Sequence, residues 1–253
     1  MTGTPGCRDA NAGRMVRPAA VKRTRAWVSW STGKDSAFAL HLAQDEPQTE
    51  IAGLFTTVDA DAGTVAYNGV PVRLAHAQAA ALGLPLHLLR IPAGCPADAR
   101  EVLRRDVLAR EAIPAGITTV IFGDAAGTDI RASRAARLAG LGIDAAFPLW
   151  GMDTRWLCRM ILAAGVRAVI TRVDPAALDA GWAGRFFGDG FIAALGRGVD
   201  PCGENGEFHT FTCDSPDFTH PVPAELERIV HRDGSVYAEL AETASPAGHQ
   251  RLA

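Results

Sequence analysis

Residues 29–40 read SWSTGKDSAFAL and decide how the first half of the chain folds. The residues that lead into this stretch, 26–29, are mostly apolar and large, which is typical of a buried strand. The small residues 31–33 predict a turn, and the apolar spacing within 35–43 predicts a helix. A helix that starts directly after a turn aims its free N–H groups and the positive end of its dipole at that turn. This arrangement predicts a site for an anion such as phosphate.

The loop departs from the commonest phosphate-binding patterns. If Gly33 and Lys34 are placed at the end of G-x-x-x-x-G-K-[ST], Val28 stands at the first glycine and Asp35 at the magnesium-binding hydroxyl. The dinucleotide pattern G-x-G-x-x-G is absent too. Asp35 repels a phosphate unless a divalent cation lies between them. The alternative is that Asp35 only stabilises the helix start, but the hydroxyl groups around it and the mobile cation expected of Lys34 favour a ligand site.

Strands and helices alternate after this loop. Because their spacing suits right-handed crossovers, it predicts an α/β fold with a doubly wound parallel sheet, which binds ligands outside the carboxyl ends of its strands. The loop 30–36, Thr56–Thr57 and Gly123–Asp124 all fall at that edge. The predicted strands are 26–29, 51–58, 86–91 and 118–122, and the predicted helices are 35–43, 72–82, 97–112 and 129–141.

The regular alternation of predicted strands and helices ends at about residue 146, which predicts a smaller α+β second domain across a cleft. Asp153 is a good N-cap for a helix over 154–163, and a strand is expected over 166–173. The run VDPCGENGEFHTF at 199–211 has no strand or helix period, which predicts a loop. The expected division is a basic tail at 1–25, an ATP-binding domain at 26–146, a substrate-binding domain at 147–222, and an extension at 223–253 with a strand pair.

Composition limits the classes of function. The chain has 253 residues, a net charge of −3 and a pI of about 6.2, which argues against a protein that mainly binds nucleic acid. Five widely spaced cysteines without a C-x-x-C pair indicate a reduced, cytoplasmic protein. No apolar run is long enough to span a membrane. Residues 1–25 carry six basic side chains and one acid, 6 − 1 = +5, and we expect a disordered tail, a transit peptide being the alternative.

The six residues 31–36 resemble the S-G-G-x-D-S signature of the PP-loop ATP pyrophosphatases. That resemblance implies a Rossmann-like, HUP-type fold and cleavage of ATP between its α and β phosphates. Thr32 departs from the signature, because it replaces the first glycine. A side chain at this position is expected to limit how closely the backbone approaches phosphate.

Further stretches narrow the resemblance. LGLPL at 82–86, FGD at 122–124, FPLWG at 147–151 and the run at 199–211 are similar to the N-type ATP pyrophosphatases of the diphthine–ammonia ligase family. The resemblance covers about residues 26–220. In that family ATP activates the carboxylate of diphthine, a modified histidine of elongation factor 2, and ammonia then forms the amide.

The resemblance implies ATP and Mg²⁺ as cofactors and assigns roles to particular residues. The nucleotide would contact Ser31, Thr32, Gly33, Lys34, Asp35, Ser36, Thr56, Thr57, Gly123 and Asp124. The metal would be held by Asp35 and Asp124. Catalysis would involve Lys34, Asp35, Glu204, Glu207 and His209. The substrates would contact Gly203, Glu204, Asn205, Glu207, His209 and Thr210. Arg73, at the start of the predicted helix over 72–82, could reach ATP phosphate or the substrate by its position, and a surface arginine is the alternative.

Glu204, Glu207 and His209 form the second chemical cluster in the sequence. Three titratable groups so close together can bind an ammonium ion, deprotonate it and hold an amine. Two alternatives stay open: a zinc site built from Cys202, His209 and Cys213, whose spacing matches no standard site, and simple solvated loop carboxylates.

Alternatives also stay open for the acceptor substrate and for the class of protein. Heavy use of alanine and arginine suggests a GC-rich bacterial genome, where diphthine is not expected and a small carboxylate would be the acceptor. The rival readings are an adenine-nucleotide-binding regulator without turnover and a tRNA-modifying PP-loop enzyme. A tRNA-modifying enzyme would need a basic surface and a pair of reactive cysteines, and neither the pI nor the cysteine spacing indicates them. The expected partners are ATP, ammonia and the carboxylate acceptor, without membrane or nucleic acid; a homodimer is an open option.

Overall fold

The structure is a computed structural model that describes residues 23–243. Most of the predicted basic tail therefore lies outside the described residues, and the first strand begins at Thr24. The strands are β1 Thr24–Ser29, β2 Thr49–Asp59, β3 Thr64–Val65, β4 Leu86–Ile91, β5 Thr119–Ile121, β6 Asp144–Ala146, β7 Arg167–Val173, β8 Phe208–Asp214, β9 Ala224–Arg232 and β10 Ser235–Glu242. The helices are α1 Lys34–Gln44, α2 Val72–Leu82, α3 Ala97–Val107, α4 Thr128–Ala139, α5 Thr154–Ala163 and α6 Asp189–Ala194.

Five strands of the first half form the predicted parallel sheet. Their order across the sheet is β4-β2-β1-β5-β6, and each neighbouring pair is parallel. Counted along the chain this is the order 3-2-1-4-5 of a Rossmann-like fold, so that fold class is confirmed. The order reverses between β1 and β5, which is where such sheets bind their ligands.

The short strand β3 covers the end of β1. It pairs with Val58 and Asp59 of β2, and β4 pairs with the same two residues. Since a strand has only two edges, β3 must lie on the edge that β1 occupies, beyond the end of β1. The segment after β3 therefore lies over the loop that follows β1.

Alternating side chains of the parallel sheet supply two apolar cores. Ala26 and Val28 of β1 point into one core together with α1, α2 and α5, whereas Trp27 points into the other. The first core also contains Phe208 and Phe211 of the second half. The two halves therefore share one core, and the expected cleft is only part of their contact.

The second half contains an antiparallel sheet in the order β8-β7-β10-β9. The strand pair predicted after residue 223 is present as β9 and β10, and both strands belong to this sheet. None of the helices between residues 23 and 243 is both long and apolar enough to cross a membrane.

Several elements were predicted with their bounds and others were missed. Helices α2 and α5 and strand β4 have the predicted limits, and Asp153 caps α5 by accepting a hydrogen bond from the Trp156 N–H. The predicted helix over 97–112 ends in a π-helical turn, Leu108–Ala112. Strands β3 and β6 were missed. The loop prediction for 199–211 was wrong at its end, because β8 begins at Phe208.

Candidate active site

The loop after β1 presents small polar groups at the start of α1. Gly33 is the N-cap residue of this helix and, as a glycine, has no side chain to cap it. The Ser36 hydroxyl donates to the Gly33 carbonyl at 2.9 Å and lies 3.1 Å from the Ser31 hydroxyl. Two hydroxyl groups are therefore fixed where the helix dipole favours an anion.

Thr32 adopts the left-handed conformation that the glycine of the resembled signature would adopt freely. Its φ is +68°, which is rare for a β-branched residue. Its side chain is fully buried and does not line the cavity beside the loop. The expectation that this side chain limits the approach of phosphate is therefore not supported by its position.

Distant side chains hold the backbone of this loop in place. The Thr32 carbonyl accepts from the Thr212 N–H at 2.8 Å and from the Gln78 amide at 3.1 Å. The Gln78 amide also donates to the Thr212 carbonyl and accepts from the Trp30 indole. Asn68, after β3, donates to the Ser31 carbonyl. The strained conformation of Thr32 is thus stabilised by contacts from both halves of the chain.

Two glycines allow backbone segments to approach the helix start. A Cβ atom on Gly33 would lie 3.0 Å from the Thr210 carbonyl oxygen, and one on Gly123 would lie 2.8 Å from the backbone between Asp35 and Ser36. Thr210 also accepts a hydrogen bond from the Lys34 N–H at 3.1 Å. Strand β8 therefore provides the side-chain cap that Gly33 lacks, and the end of β5 packs directly on α1.

Lys34 is buried, with only 2% of its side chain exposed, and is not the mobile cation that we expected. Its ammonium group donates to the Asp35 carboxylate at 2.8 Å and to the Cys202 carbonyl at 2.6 Å. Burial opposes the charged form, but the charge and hydrogen bond of Asp35, together with the neighbouring Cys202 and Cys158, outweigh burial, so that the pKa of Lys34 lies above its ordinary value. Lys34 therefore joins α1 to the second half of the chain.

A cavity of about 240 Å³ opens beside the helix start, and most of the predicted site residues line it. Its walls come from the loop after β1, the end of β5, the segment after β3 and the run around Glu204. The predicted residues that line it are Ser31, Gly33, Lys34, Asp35, Ser36, Gly123, Asp124, Gly203, Glu204, His209 and Thr210.

A second cavity of about 700 Å³ adjoins the first at the carboxyl ends of β1 and β2. Thr56 and Thr57 line it, as predicted for residues that receive a nucleoside. Tyr67 lines both cavities, is 73% exposed and has a φ of +69°. An exposed aromatic ring in a strained conformation at a cavity mouth is available to stack on a ligand.

Asp124 forms an ion pair that the sequence did not reveal. The Arg134 side chain on α4 contacts both of its carboxylate oxygens, at 2.8 Å from Nη2 and 2.7 Å from Nε. The guanidinium also lies 4.6 Å from the centre of the Phe122 ring. Asp124 thus faces the cavity with a cation already beside it.

Glu204 connects the second half of the chain to the loop after β5. One of its carboxylate oxygens accepts from the backbone N–H groups of Ala125 and Ala126, at 3.1 and 3.0 Å. Burial, followed by the negative charge of Asp35, raises the pKa of Glu204 to about 7. A carboxyl group with this pKa can take up and release a proton near neutral pH.

Glu207 is oriented away from the cavity, although it was predicted beside Glu204. Its carboxylate accepts from the Asp200 N–H and from both the backbone and side-chain N–H groups of Asn205. Burial opposes ionisation, but these donors outweigh burial and lower the pKa of Glu207. Its geometry is that of a group that shapes its own loop.

His209 lies on β8 and lines the smaller cavity. Burial, then the charges of Arg172 and Lys34, lower its pKa to about 4. The imidazole is therefore neutral at pH 7 and is a weak base, which suits it to accept a hydrogen bond rather than to hold a proton. By contrast, Arg73 is exposed on α2 and lines neither cavity. Asn205 is also exposed, and its side chain donates a hydrogen bond to Glu207. The predicted substrate contacts of these two residues are therefore not supported by their positions.

The carboxylates of the smaller cavity fit an Mg²⁺ ion that arrives with a phosphate ligand. Asp35 and Asp124 both line it, and burial and the charge of Asp124 contribute to raising the pKa of Asp35. Mg²⁺ needs only one or two protein carboxylates when phosphate and water complete its ligands. Within residues 23–243, no group of three His, Cys, Asp or Glu could hold a metal ion, so the zinc alternative has no support there.

Folding brings together two cysteines that are far apart in the sequence. The thiols of Cys158 and Cys202 lie 3.0 Å apart and are buried. The contact with Cys158 and burial raise the pKa of Cys202, so it stays a protonated thiol. The spacing of the cysteines in the sequence did not predict this pair. Burial keeps its thiols protonated, whereas reactive cysteines are ionised and partly exposed.

The fold and the two adjoining cavities define a Rossmann-like protein with a polar cavity at a helix start and a larger cavity beside it. The chain matches the model of the diphthamide synthase N-terminal domain over residues 24–130 and that of the diphthamide synthase C-terminal domain over residues 153–238. It belongs to the diphthamide synthase family.

Two curated relatives agree with this assignment. A diphthine–ammonia ligase from Rattus norvegicus is 30% identical over 98 residues, and one from Mus musculus is 28% identical over 101 residues. Each match covers 37% of this chain and 37% of the relative. The chain is thus matched to only about a third of the length of these relatives.

Proposed function

We propose that the protein is an ATP-dependent ligase that joins a carboxylate to ammonia and converts ATP to AMP and pyrophosphate. The observation that supports this most is the smaller cavity. It combines an anion-accepting helix start, two aspartates suited to Mg²⁺, the carboxyl group of Glu204, which can exchange a proton near neutral pH, and the neutral imidazole of His209. Family membership supports the same chemistry.

The nucleotide would span the two cavities. The phosphates would lie against Ser31, Gly33 and Ser36, and the nucleoside would lie beside Thr56 and Thr57 in the larger cavity. Mg²⁺ held by Asp35 and Asp124 would neutralise charge on the phosphates. A carboxylate oxygen of the acceptor attacks the α-phosphorus, the bond from that phosphorus to the pyrophosphate oxygen breaks, and pyrophosphate leaves with its charge stabilised by the helix start.

Ammonia would react in the same cavity. Its nitrogen attacks the carbonyl carbon of the acyl adenylate, the bond from that carbon to the AMP oxygen breaks, and the nitrogen loses one proton to Glu204 or to water as the amide forms. Ammonium must first lose a proton, and Glu204 is unprotonated in part at pH 7 and can accept it, while the neutral His209 can accept a hydrogen bond from the nitrogen. Glu207 would act by shaping the loop that presents Glu204.

The acceptor is a carboxylate that reaches this cavity. The names of the relatives point to the diphthine of elongation factor 2, whereas a bacterial source would favour a small carboxylate. Incubation with ATP, Mg²⁺ and ammonium, with either diphthine-bearing elongation factor or a fractionated metabolite pool, separates these options when products are identified by mass spectrometry.

The proposal predicts AMP, pyrophosphate and an amide that contains ammonium nitrogen, formed only when an acceptor is added. ADP and phosphate would contradict the assigned site of cleavage. Tight ATP binding without turnover in both acceptor sets would instead support a nucleotide-binding regulator.

A further inference from the structure

Arg134 occupies the junction of the two cavities. Seven described residues line both of them, and among these Arg134 alone carries a positive charge. The other six are neutral: Ser29, Ser31, Ala66, Tyr67, Phe122 and Ile130. In a nucleotide that spans the cavities, the α-phosphate is the group between the nucleoside and the remaining phosphates, so it must lie at this junction.

The guanidinium of Arg134 is held in position but keeps free donors. Asp124 contacts its Nε and Nη2 atoms, and the Phe122 ring lies beneath it at 4.6 Å. A guanidinium has five N–H donors, and Asp124 accepts a hydrogen bond from only one of them, at Nη2. Arginine supported in this way loses little conformational entropy when it binds a phosphate.

Lys34, the lysine of the loop, does not provide a cation at the junction of the two cavities. Lys34 is buried and its ammonium group is engaged by Asp35 and by the Cys202 carbonyl. The α-phosphorus is the atom under attack in the proposed adenylation, and charge on its oxygens needs a cation that is already in place.

We propose that Arg134 binds the α-phosphate of the nucleotide and that Asp124 orients its guanidinium while competing with phosphate for it. This inference rests on the proposed nucleotide site. It gives α4 a catalytic residue that neither the loop signature nor the family match assigns. An ion pair that served stability alone would have no preference between a nucleoside and its monophosphate.

The test compares AMP with adenosine, which differ only by the α-phosphate, in calorimetric titrations of the full chain without Mg²⁺. Arg134→Gln is expected to weaken AMP binding by about ten-fold or more and to leave adenosine binding within about two-fold, since it removes charged hydrogen bonds to phosphate. Asp124→Asn removes the competing carboxylate and is expected to leave AMP binding unchanged or tighter.

Arg137 provides a matched comparison on the same helix. It is paired with Glu101 and lines the larger cavity but not the smaller one. Arg137→Gln is therefore expected to change AMP and adenosine binding by the same factor. Melting curves identify any variant that fails to fold, and Arg134→Lys then serves as the milder substitution, with an intermediate loss of AMP affinity.

Two results would overturn the role of Arg134 alone. One is AMP binding by Arg134→Gln that equals the wild type; the other is an equal loss in Arg134→Gln and Asp124→Asn, as expected of a purely structural ion pair. A wild-type protein that binds neither AMP nor ATP would instead refute the proposed nucleotide site, and this inference with it.

Discussion

Two loops face each other across the smaller cavity and are held in opposite ways. The loop at 31–33 is held from outside, by Gln78 and Asn68 and by backbone groups of β8. The loop at 199–207 is held largely from within, because the Glu207 carboxylate bonds to two members of the same loop. The first loop therefore depends on packing between the two halves, whereas the second carries its own support.

The largest effect is expected at Gln78, because it is fully buried and its amide serves three partners. Gln78→Leu leaves the Trp30 indole and the Thr212 carbonyl without this partner. We expect a loss of about 3 kcal/mol in the free energy of unfolding, with weaker ATP binding. Chemical denaturation measures the first effect and calorimetric titration the second.

Gln44→Leu is the control, since Gln44 is exposed at the end of α1 and should change stability by less than about 0.5 kcal/mol. Equal small effects at Gln78 and Gln44 would show that the first loop is not held from outside.

The two glutamates of the second loop should respond oppositely to pH. The pKa of Glu204 is about 7 in the folded protein, above its ordinary value of 4.5, so ionising Glu204 as the pH rises from 4.5 to 7 costs stability. Glu204→Gln keeps an oxygen that can accept both hydrogen bonds and removes the charge. We expect it to raise Tm at pH 8 and to leave Tm nearly unchanged at pH 5.

The pKa of Glu207 is lowered, so its ionised form stabilises the folded protein above the unfolded pKa of about 4.5, and this stability is lost as the pH falls through the folded pKa. Glu207→Gln loses at least one accepted hydrogen bond and should cost about 1 kcal/mol at pH 7 but less at pH 3. Parallel pH profiles for the two variants would contradict the distinction between these glutamates.

An effect as small as that of Glu207→Gln is expected at Thr32, where the strain of the first loop is concentrated. Thr32→Gly and Thr32→Ala both remove the buried side chain, but only glycine adopts a φ of +68° without strain. The glycine variant should be more stable than the alanine variant by about 1 kcal/mol, with equal ATP affinity for both. A more stable alanine variant would show that Thr32 is not strained.

The first half of the chain could be predicted from sequence because its signals are local. Helix α2 is followed by Gly83 and strand β4 by Pro92, which are local stop signals, and the loop at 31–36 marked the ligand edge of the sheet. Strand β6 was missed because its three residues are too few to show a period. Strand β8 did offer a signal, since Phe208 to Thr212 are rich in aromatic and β-branched residues.

The rest of the site depends on contacts between distant segments. The pairing of Asp124 with Arg134 and of Cys158 with Cys202 depends on which faces of separate elements meet, and no local pattern encodes that. The opposite orientations of Glu204 and Glu207 have the same origin, because only the folded loop decides which carboxylate faces the cavity.

The most direct test is a crystal structure with Mg²⁺ and an ATP analogue that carries a methylene bridge between its α and β phosphates. We predict phosphates against Gly33 and Ser36, the nucleoside beside Thr56 and Thr57, and the α-phosphate within hydrogen-bond reach of Arg134. Phosphates bound away from the start of α1 would contradict the assignment of the smaller cavity as the phosphate site.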